Sequence, residues 1–324
     1  MLPFPGIPYG FAPAWCFPFA EGSVFALFVL CLVQAVKRDR SGVIYLLGGF
    51  VFGVLLEYFE VVTDSYTYGH FHIMLGSAPH DLPVWVGAAW GIIMYTARLF
   101  SDSLRLPLIA AAALDTLLAL NIDVSIDVVA YRLHMWHWVW DDIHLALTAQ
   151  WFGIPYGNFV GWATVVFCYS GFSRLFERWM TRRKPAMLGK AGLIAALAVL
   201  SSLAVLISTE TVLFPIFLKL GVTSGIRLIV IVAALAVLVV IGWPKGPRRD
   251  GSAPSPPPLA LWVPAWFHGF FVACFFAFGF YRENPWMTAA AVTNLLLGIA
   301  IHLYPYRMQA REKAPHLASL RQEG

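Results

Sequence analysis

The sequence contains little charge. Asp, Glu, Lys and Arg make up 12% of its 324 residues, whereas soluble domains carry about 25%. Hydrophobic residues reach 59%, and the mean hydropathy is +0.71. A water-soluble core could not bury this much apolar surface, but a bilayer can cover it. The shortage of charge therefore excludes an ordinary soluble domain.

Cysteine is also scarce, and the N-terminus does not resemble a typical cleaved signal peptide. The four cysteines, Cys16, Cys31, Cys168 and Cys274, are isolated in or beside apolar runs, and no CxxC pair occurs, which excludes a disulfide framework. The N-terminus lacks the basic segment of a typical cleaved signal peptide. The net charge of +4 is small and is spread over many short loops. This distribution excludes a basic stripe that binds nucleic acid.

Long apolar runs fill most of the chain. A membrane-spanning helix needs roughly 17–25 such residues. The runs lie near 17–36, 42–56, 83–99, 104–120, 158–176, 191–208, 226–243, 259–280 and 287–303. The second run is short, and we expect its helix to continue towards residue 62. The sequence therefore predicts an all-α fold, a polytopic transmembrane helical bundle with about nine spans.

Basic residues predict how this bundle is oriented. If the N-terminus lies outside, 18 of the 22 Lys and Arg residues fall in inside loops and three in outside loops. The positive-inside rule then favours an N-out, C-in topology. The loops 57–82 and 121–157 fall on the same outer side. We therefore expect these two loops to meet and to form one site.

The first loop opens with a row of carboxylates. Glu57, Glu60 and Asp64 follow i, i+3, i+7 spacing, so they share a face if the second helix continues. Glu60 and Asp64 fit equally well as a solvated helix end. Glu57 lies closer to the apolar run, and we interpret it as a functional residue.

Asp115 lies within the fourth run, about two turns below its predicted outer end. A carboxylate at that depth is costly unless it faces a cavity or a partner. Function is the favoured interpretation, and a structural hydrogen bond is the alternative. Together with Asp127 in the second loop, Glu57 and Asp115 are the candidate acids and water-orienting bases.

Histidines in the second loop raise the possibility of a metal site. His134, His137, Asp141 and His144 would form one stripe if this stretch were helical. His and Asp are common zinc and iron ligands. The motifs HExxH, HxxxH and HxxHH are absent, however, and a stripe of His and Trp at a membrane surface is more typical of an interfacial belt. A metal site stays the alternative hypothesis.

Aromatic residues crowd the same two loops. They include Trp136, Trp138 and Trp162 in one segment and Tyr66 and Tyr68 in the other. An aromatic belt explains many of them. A pocket of ring faces would also stabilise a cation. Acidic carboxyls beside such rings suit protonation of an alkene followed by capture of the carbocation.

Two segments resemble the membrane hydratases of carotenoid biosynthesis, the family of the γ-carotene and bisanhydrobacterioruberin hydratases. The resemblance spans roughly residues 42–176, and GIPxxNFxGW, here at 153–162, is its most specific motif. The first segment matches at Glu57, Tyr58, Thr63, Tyr66, Tyr68, Pro83 and Trp90. The second matches at Asp127, Val129, Ala130, Arg132, Leu133, Trp136, Trp138, Gly153, Ile154, Pro155, Asn158, Phe159, Gly161 and Trp162.

The chain also departs from the family pattern. Glu60 and Asp64 stand where the family has glycine, and residue 128 is Val where the family has proline. The resemblance implies addition of water across a terminal isoprenoid double bond without an organic cofactor. The predicted substrate-binding residues are Tyr66, Tyr68, Trp90, Trp136, Trp138, Asn158 and Trp162.

The family-like core at 42–176 would belong to one integral membrane domain over 1–324. Further spans would follow at 177–303 and a polar cytoplasmic tail at 304–324. The expected location is a bacterial cytoplasmic (inner) membrane, and the expected partners are a lipophilic polyene or isoprenoid, the bilayer and other enzymes of the pathway. Three alternatives stay open: a metal-dependent lipid oxygenase or hydrolase, a proton-coupled transporter that uses Asp115, and an isoprenoid cyclase.

Overall fold

The computed structural model describes residues 8–138, 149–181, 188–243 and 256–320. Over these ranges the chain forms a helical bundle, which confirms the predicted all-α class. The long helices are α1 (Cys16–Arg38), α2 (Arg40–Val62), α3 (Val84–Ser103), α4 (Leu108–Arg132), α5 (Tyr156–Thr181), α6 (Leu188–Ser208), α8 (Ser224–Gly242), α9 (Leu259–Ala277) and α10 (Pro285–Leu320). A π-helical turn (Thr209–Leu213) and the short helix α7 (Phe214–Lys219) follow α6.

Each of the nine predicted runs overlaps one of these nine long helices. Eight of the helices in the described ranges are long and apolar enough to cross a membrane, as expected of an integral membrane protein. The ninth, α3, carries Arg98 and Asp102 in its C-terminal half and packs against α1, α2, α4 and α9. Of its 20 residues, 17 are buried. Because α3 contacts mainly protein, its polar residues can find protein partners.

The two loops predicted to meet are joined by a pair of short strands. Strand β1 (Tyr66–Tyr68) pairs antiparallel with β4 (Trp136–Trp138). Between β1 and α3, strands β2 (Met74–Ser77) and β3 (His80–Pro83) form a hairpin. The pairing of β1 with β4 confirms that both loops lie at the same end of the bundle. The assignment of that end to the outer side stays a prediction.

Close packing of α2 on α3 positions the start of the first loop. A Cβ atom on Gly53 would lie 2.5 Å from the Cβ atom of Trp90, and one on Gly49 would lie 3.2 Å from the Cα atom of Gly91. Small residues let membrane helices approach this closely. Helix α2 continues to Val62, as predicted. Its last two turns therefore bring the residues after Gly53 against α3.

Candidate active site

A cavity of about 60 Å³ lies beside the β1–β4 pair, between α2, α3, α4, α5 and α9. Of the residues predicted for the site, nine line it: Glu57, Tyr66, Tyr68, Trp90, Asp127, Trp136, Trp138, Asn158 and Trp162. The other lining residues are Trp85, Val86, Ala89, Ile93, Ile126 and Phe267. The structure thus brings most of the predicted site residues together. Their catalytic and binding roles stay predictions.

Glu57 accepts hydrogen bonds from three side chains. Alternate residues of a strand point to one face, so the hydroxyls of Tyr66 and Tyr68 both reach its Oε2 atom, that of Tyr68 at 2.5 Å. The indole Nε1 of Trp90 donates to Oε1 at 2.5 Å. Glu57 itself is only 4% exposed. Three donors aimed at one buried carboxyl favour its carboxylate form.

The two tyrosines stay protonated over any ordinary pH range. Burial, together with the negative charge of Glu57, raises the pKa of Tyr66 and that of Tyr68 well above 10.0. Both phenols therefore keep the protons that they donate to Glu57.

Asp127 belongs to a pair of buried carboxyls. Asp123 lies one turn before it on α4, and Asn158 on α5 donates to both, at 2.5 Å to Asp127 Oδ2 and 3.3 Å to Asp123 Oδ2. The Oδ1 atom of Asp123 is buried and has no hydrogen-bond partner among the described residues. Two like charges so close in a buried site repel each other. We therefore interpret Asp123 and Asp127 as a pair that holds a proton.

Asp115 does not line this cavity. The prediction that Glu57, Asp115 and Asp127 converge on one pocket is therefore wrong for Asp115. Helix α4 extends to Arg132, so Asp115 lies 12 residues before Asp127, about 18 Å along the helix axis. Its Oδ2 accepts hydrogen bonds from Arg174 and Ser170, both at 2.6 Å. Arg174 also pairs with Asp102, at 2.9 Å. In this arrangement Asp115 links α4 to α5 through an ion pair.

Glu60 and Asp64, the two predicted carboxylates that follow Glu57, lie in different surroundings at the end of α2. Glu60 is half-buried beside the cavity, whereas Asp64 lies past the helix, where its backbone has a φ of 57°. Asp64 pairs with His80 at 3.1 Å on the exposed loop. The shared face predicted for the three residues therefore holds for Glu57 and Glu60 only.

The predicted stripe of metal ligands does not form at its first two positions. Helix α4 ends at Arg132, so His134 and His137 are not on a helix. The Nε2 atom of His134 contacts the Tyr9 carbonyl at 2.7 Å, and His137 stacks on Tyr131. Asp141 and His144 lie outside the described residues. Within the described ranges, no group of three or more His, Cys, Asp and Glu side chains is arranged to hold a metal ion.

Sequence reasoning left out several parts of the site. Asp123 carried a signal, since it stands four residues before Asp127, but it was not selected as a site residue. Trp85, Ile126 and Phe267 are apolar residues within apolar helices. No local pattern distinguishes such residues from lipid-facing ones.

A second cavity of about 610 Å³ adjoins the first. Six residues line both cavities, and we call them the neck: Glu57, Tyr66, Trp90, Trp138, Asn158 and Trp162. From the neck the larger cavity, here called the groove, runs between α2 and α5 towards α6, α7 and α8. Leu218 lines it and is 68% exposed. The groove thus connects the inner cavity with the apolar outer surface of the bundle.

Comparison with known proteins connects this geometry to one family. The model of the carotenoid biosynthesis protein family matches residues 21–241, more than half of the chain. Neither the curated proteins nor the solved structures contain a match to the chain. The matched region includes every described lining residue of the inner cavity except Phe267. The chain therefore belongs to the carotenoid biosynthesis protein family, and its role lies in carotenoid biosynthesis.

Proposed function

We propose that the protein is a carotenoid hydratase, which adds water across a terminal carbon–carbon double bond and forms a tertiary alcohol. One observation supports this most strongly: Asp127, which is paired with the buried Asp123, and Glu57, which accepts from three donors, line the same aromatic cavity. A neutral acid can protonate an alkene, and an anion near the site lowers the energy of the resulting cation.

The reaction divides between the two carboxyl sites. The π electrons of the double bond form a C–H bond with the proton of Asp127, and the more substituted carbon becomes a tertiary cation. Water attacks this carbon and forms the C–O bond. The proton lost by the added water passes to the Glu57 carboxylate, and exchange with solvent restores both groups. The sum is alkene plus water giving alcohol, and no cofactor is consumed.

Ring faces surround the position of the cation. The rings of Trp90 and Trp162 lie 4.0 Å apart between centroids, and Trp136 lies 6.4 Å from Trp85. Indole faces attract a positive charge, most strongly where water is excluded. Asn158, which donates to Asp127 and lines the neck, would orient water there. These residues support the carbocation intermediate that hydration requires.

The groove supports a substrate that arrives from the bilayer. A long polyene is apolar throughout and partitions into the membrane. The apolar surface at Leu218 would admit it sideways, so that its end passes the neck and reaches Asp127. We place the protein in a bacterial cytoplasmic membrane, where other enzymes of the pathway would supply and remove the polyene.

The test is expression in a host that makes acyclic carotenoids, followed by mass analysis of the extracted pigments. A new pigment heavier by one water, absent from an empty-vector control, is the expected result. An isomer of unchanged mass would replace the hydratase with a cyclase. A product that gains oxygen without hydrogen would overturn acid catalysis in favour of an oxygenase.

A further inference from the structure

One wall of the inner cavity comes from outside the part of the chain that matches the family. The family match ends at residue 241, within α8. Phe267 belongs to α9, yet it lines the cavity and is only 1% exposed. Helix α9 packs directly on α3 and α4, which carry many of the other lining residues. Helix α9 thus contributes to the site itself.

A buried polar network fixes α9 against α4. His268, next to Phe267, lies 3.2 Å from Ser125 Oγ through Nδ1 and 3.0 Å from Asn121 Oδ1 through Nε2. Asn294 of α10 exchanges hydrogen bonds with Asn121 and donates to Ser125 at 2.6 Å. Such bonds resist rotation of a helix because breaking them leaves buried polar groups unpaired. The position of the Phe267 ring is therefore held by its neighbour.

A second anchor fixes the connection between α9 and α10. Arg132 at the end of α4 is fully buried and pairs with Glu283 at 2.8 and 2.5 Å. The bidentate geometry adds orientation as well as attraction. Because α9 is anchored next to Phe267 and again beyond its last residue, its cavity-facing side is a rigid surface.

Phe267 lines the inner cavity but not the groove. The neck residues are shared by both cavities, but Phe267 is not among them. It stands instead with Val86, Ala89, Ile93 and Ile126, which are all apolar and buried. We call these five residues the inner end. A chain entering from the groove meets the neck first and then the inner end.

We propose that Phe267 determines which end groups the site accepts, because its ring limits the depth of the inner end. This inference rests on the proposed function only in taking a polyene end group as the occupant. The inner end has room for the methyl groups of an acyclic terminus that passes the carboxyls. With the Phe267 ring in place, a polyene that ends in a six-membered ring is excluded.

The experiment compares binding of two polyenes to purified protein in lipid nanodiscs. The probes are an acyclic polyene and one of equal chain length with a six-membered ring at its end. The amount bound is read by absorbance after removal of free pigment. Wild-type protein should prefer the acyclic probe. F267A should raise the ratio of ring-ended to acyclic polyene bound by roughly tenfold or more, the scale on which cavity size discriminates ligands.

F271A is the matched control. Phe271 is equally buried one turn further along α9 but lines no described cavity. F271A should lose similar stability and leave the ratio unchanged. If F267A does not yield folded protein, F267L should raise the ratio and F267W should lower it. An unchanged ratio in folded F267A or F267L, or an equal shift in F271A, would overturn the proposal.

The same samples separate this inference from the proposed function. Each is incubated with the acyclic probe, and the products are analysed by mass. A shifted binding ratio without any addition of water would reject the hydratase and keep the role of Phe267. Addition of water with an unshifted ratio would reject the role of Phe267 alone.

Discussion

The substitution Asp127→Asn removes the proton that Asp127 would donate but keeps the shape of its side chain. Asn158 lies 2.5 Å from Asp127 Oδ2 and can donate to the carbonyl oxygen of the new amide in the same way. The amide NH₂ group can then donate to Asp123. The packing and the hydrogen bonds are retained, but the transferable proton is lost. A change in turnover therefore reports the proton rather than the fold.

The expected loss follows from the role of a general acid. Such groups contribute about 10²–10⁴-fold, which corresponds to about 2.7–5.4 kcal/mol in the activation barrier. The assay measures alcohol formed per unit of folded protein in nanodiscs, with thermal melting measured on the same sample. We expect turnover to fall within that range and the melting temperature to stay near that of wild type.

Asp115→Asn is the contrasting control. It removes the charge that pairs with Arg174 at 2.6 Å, and Arg174 keeps its bond to Asp102. Loss of one partner of a buried ion pair costs about 3–5 kcal/mol, and we expect the lower end of this range. Stability should fall while turnover per folded molecule is retained. The assignment would be refuted by near wild-type turnover in Asp127→Asn, or by an inactive but folded Asp115→Asn variant.

Four further predictions concern the rest of the site. Replacing Tyr66 and Tyr68 together by Phe should lower turnover by roughly tenfold to a hundredfold, the scale of hydrogen bonds to a charge. The folded-state pKa of both tyrosines lies well above the unfolded value of 10.0. Above pH 10 the unfolded chain therefore loses these protons before the folded protein does, and the free energy of unfolding falls. The melting temperature of the double variant should therefore decline less steeply above pH 10 than that of wild type. Gly53→Ala should disrupt the packing on Trp90 and lower both activity and melting temperature. Cysteines introduced at 65–80 should react with an impermeant reagent from outside intact cells, and labelling only from the cytoplasm would reject the topology. Turnover should survive a metal chelator, and its loss with release of a stoichiometric metal would support the metal alternative.

Hydropathy and charge predicted the bundle and the meeting of the two loops because both depend on local composition. The bilayer demands long apolar runs, and the basic residues report which loops share a side. Two loops confined to one side need only short strands to join, and β1 and β4 supply them. Once the two loops are joined, their aromatic and carboxylate residues lie close together and line one cavity.

The depth of Asp115 was mispredicted because the apolar run and the helix end at different residues. The run ends at Leu120, where Asn121, Asp123 and Asp127 interrupt it, but α4 continues to Arg132. In this helix, 83% of the most apolar stretch is buried inside the protein. A helix surrounded by other helices can carry polar residues in its second half because protein groups, rather than lipid, receive them.

Sequence patterns could not predict the inner end of the cavity, for a different reason. Phe267 and Ile126 are ordinary residues of apolar helices, and only tertiary packing turns them towards a cavity. The histidine stripe, which required a helical segment, does not form at His134 and His137. A regular spacing of His134 and His137 has meaning on a helix, but the chain there turns into a strand.

The burial of α3 also bears on how the chain enters the membrane. Alone in lipid, Arg98 and Asp102 would each oppose insertion by up to about 2.5–3.5 kcal/mol. In the folded protein, Arg98 donates to Glu177 of α5 at 2.5 Å, and Asp102 accepts from Arg174 of the same helix. These partners on α5 are synthesised after α3. Helix α2, which packs closely on α3 through Gly49 and Gly53, is synthesised before it. Within α3 itself, Arg98 and Asp102 form an i,i+4 ion pair at 3.4 Å. We therefore expect α3 to insert with α2 as a hairpin, and its two charges to gain their remaining partners only when α5 packs against it.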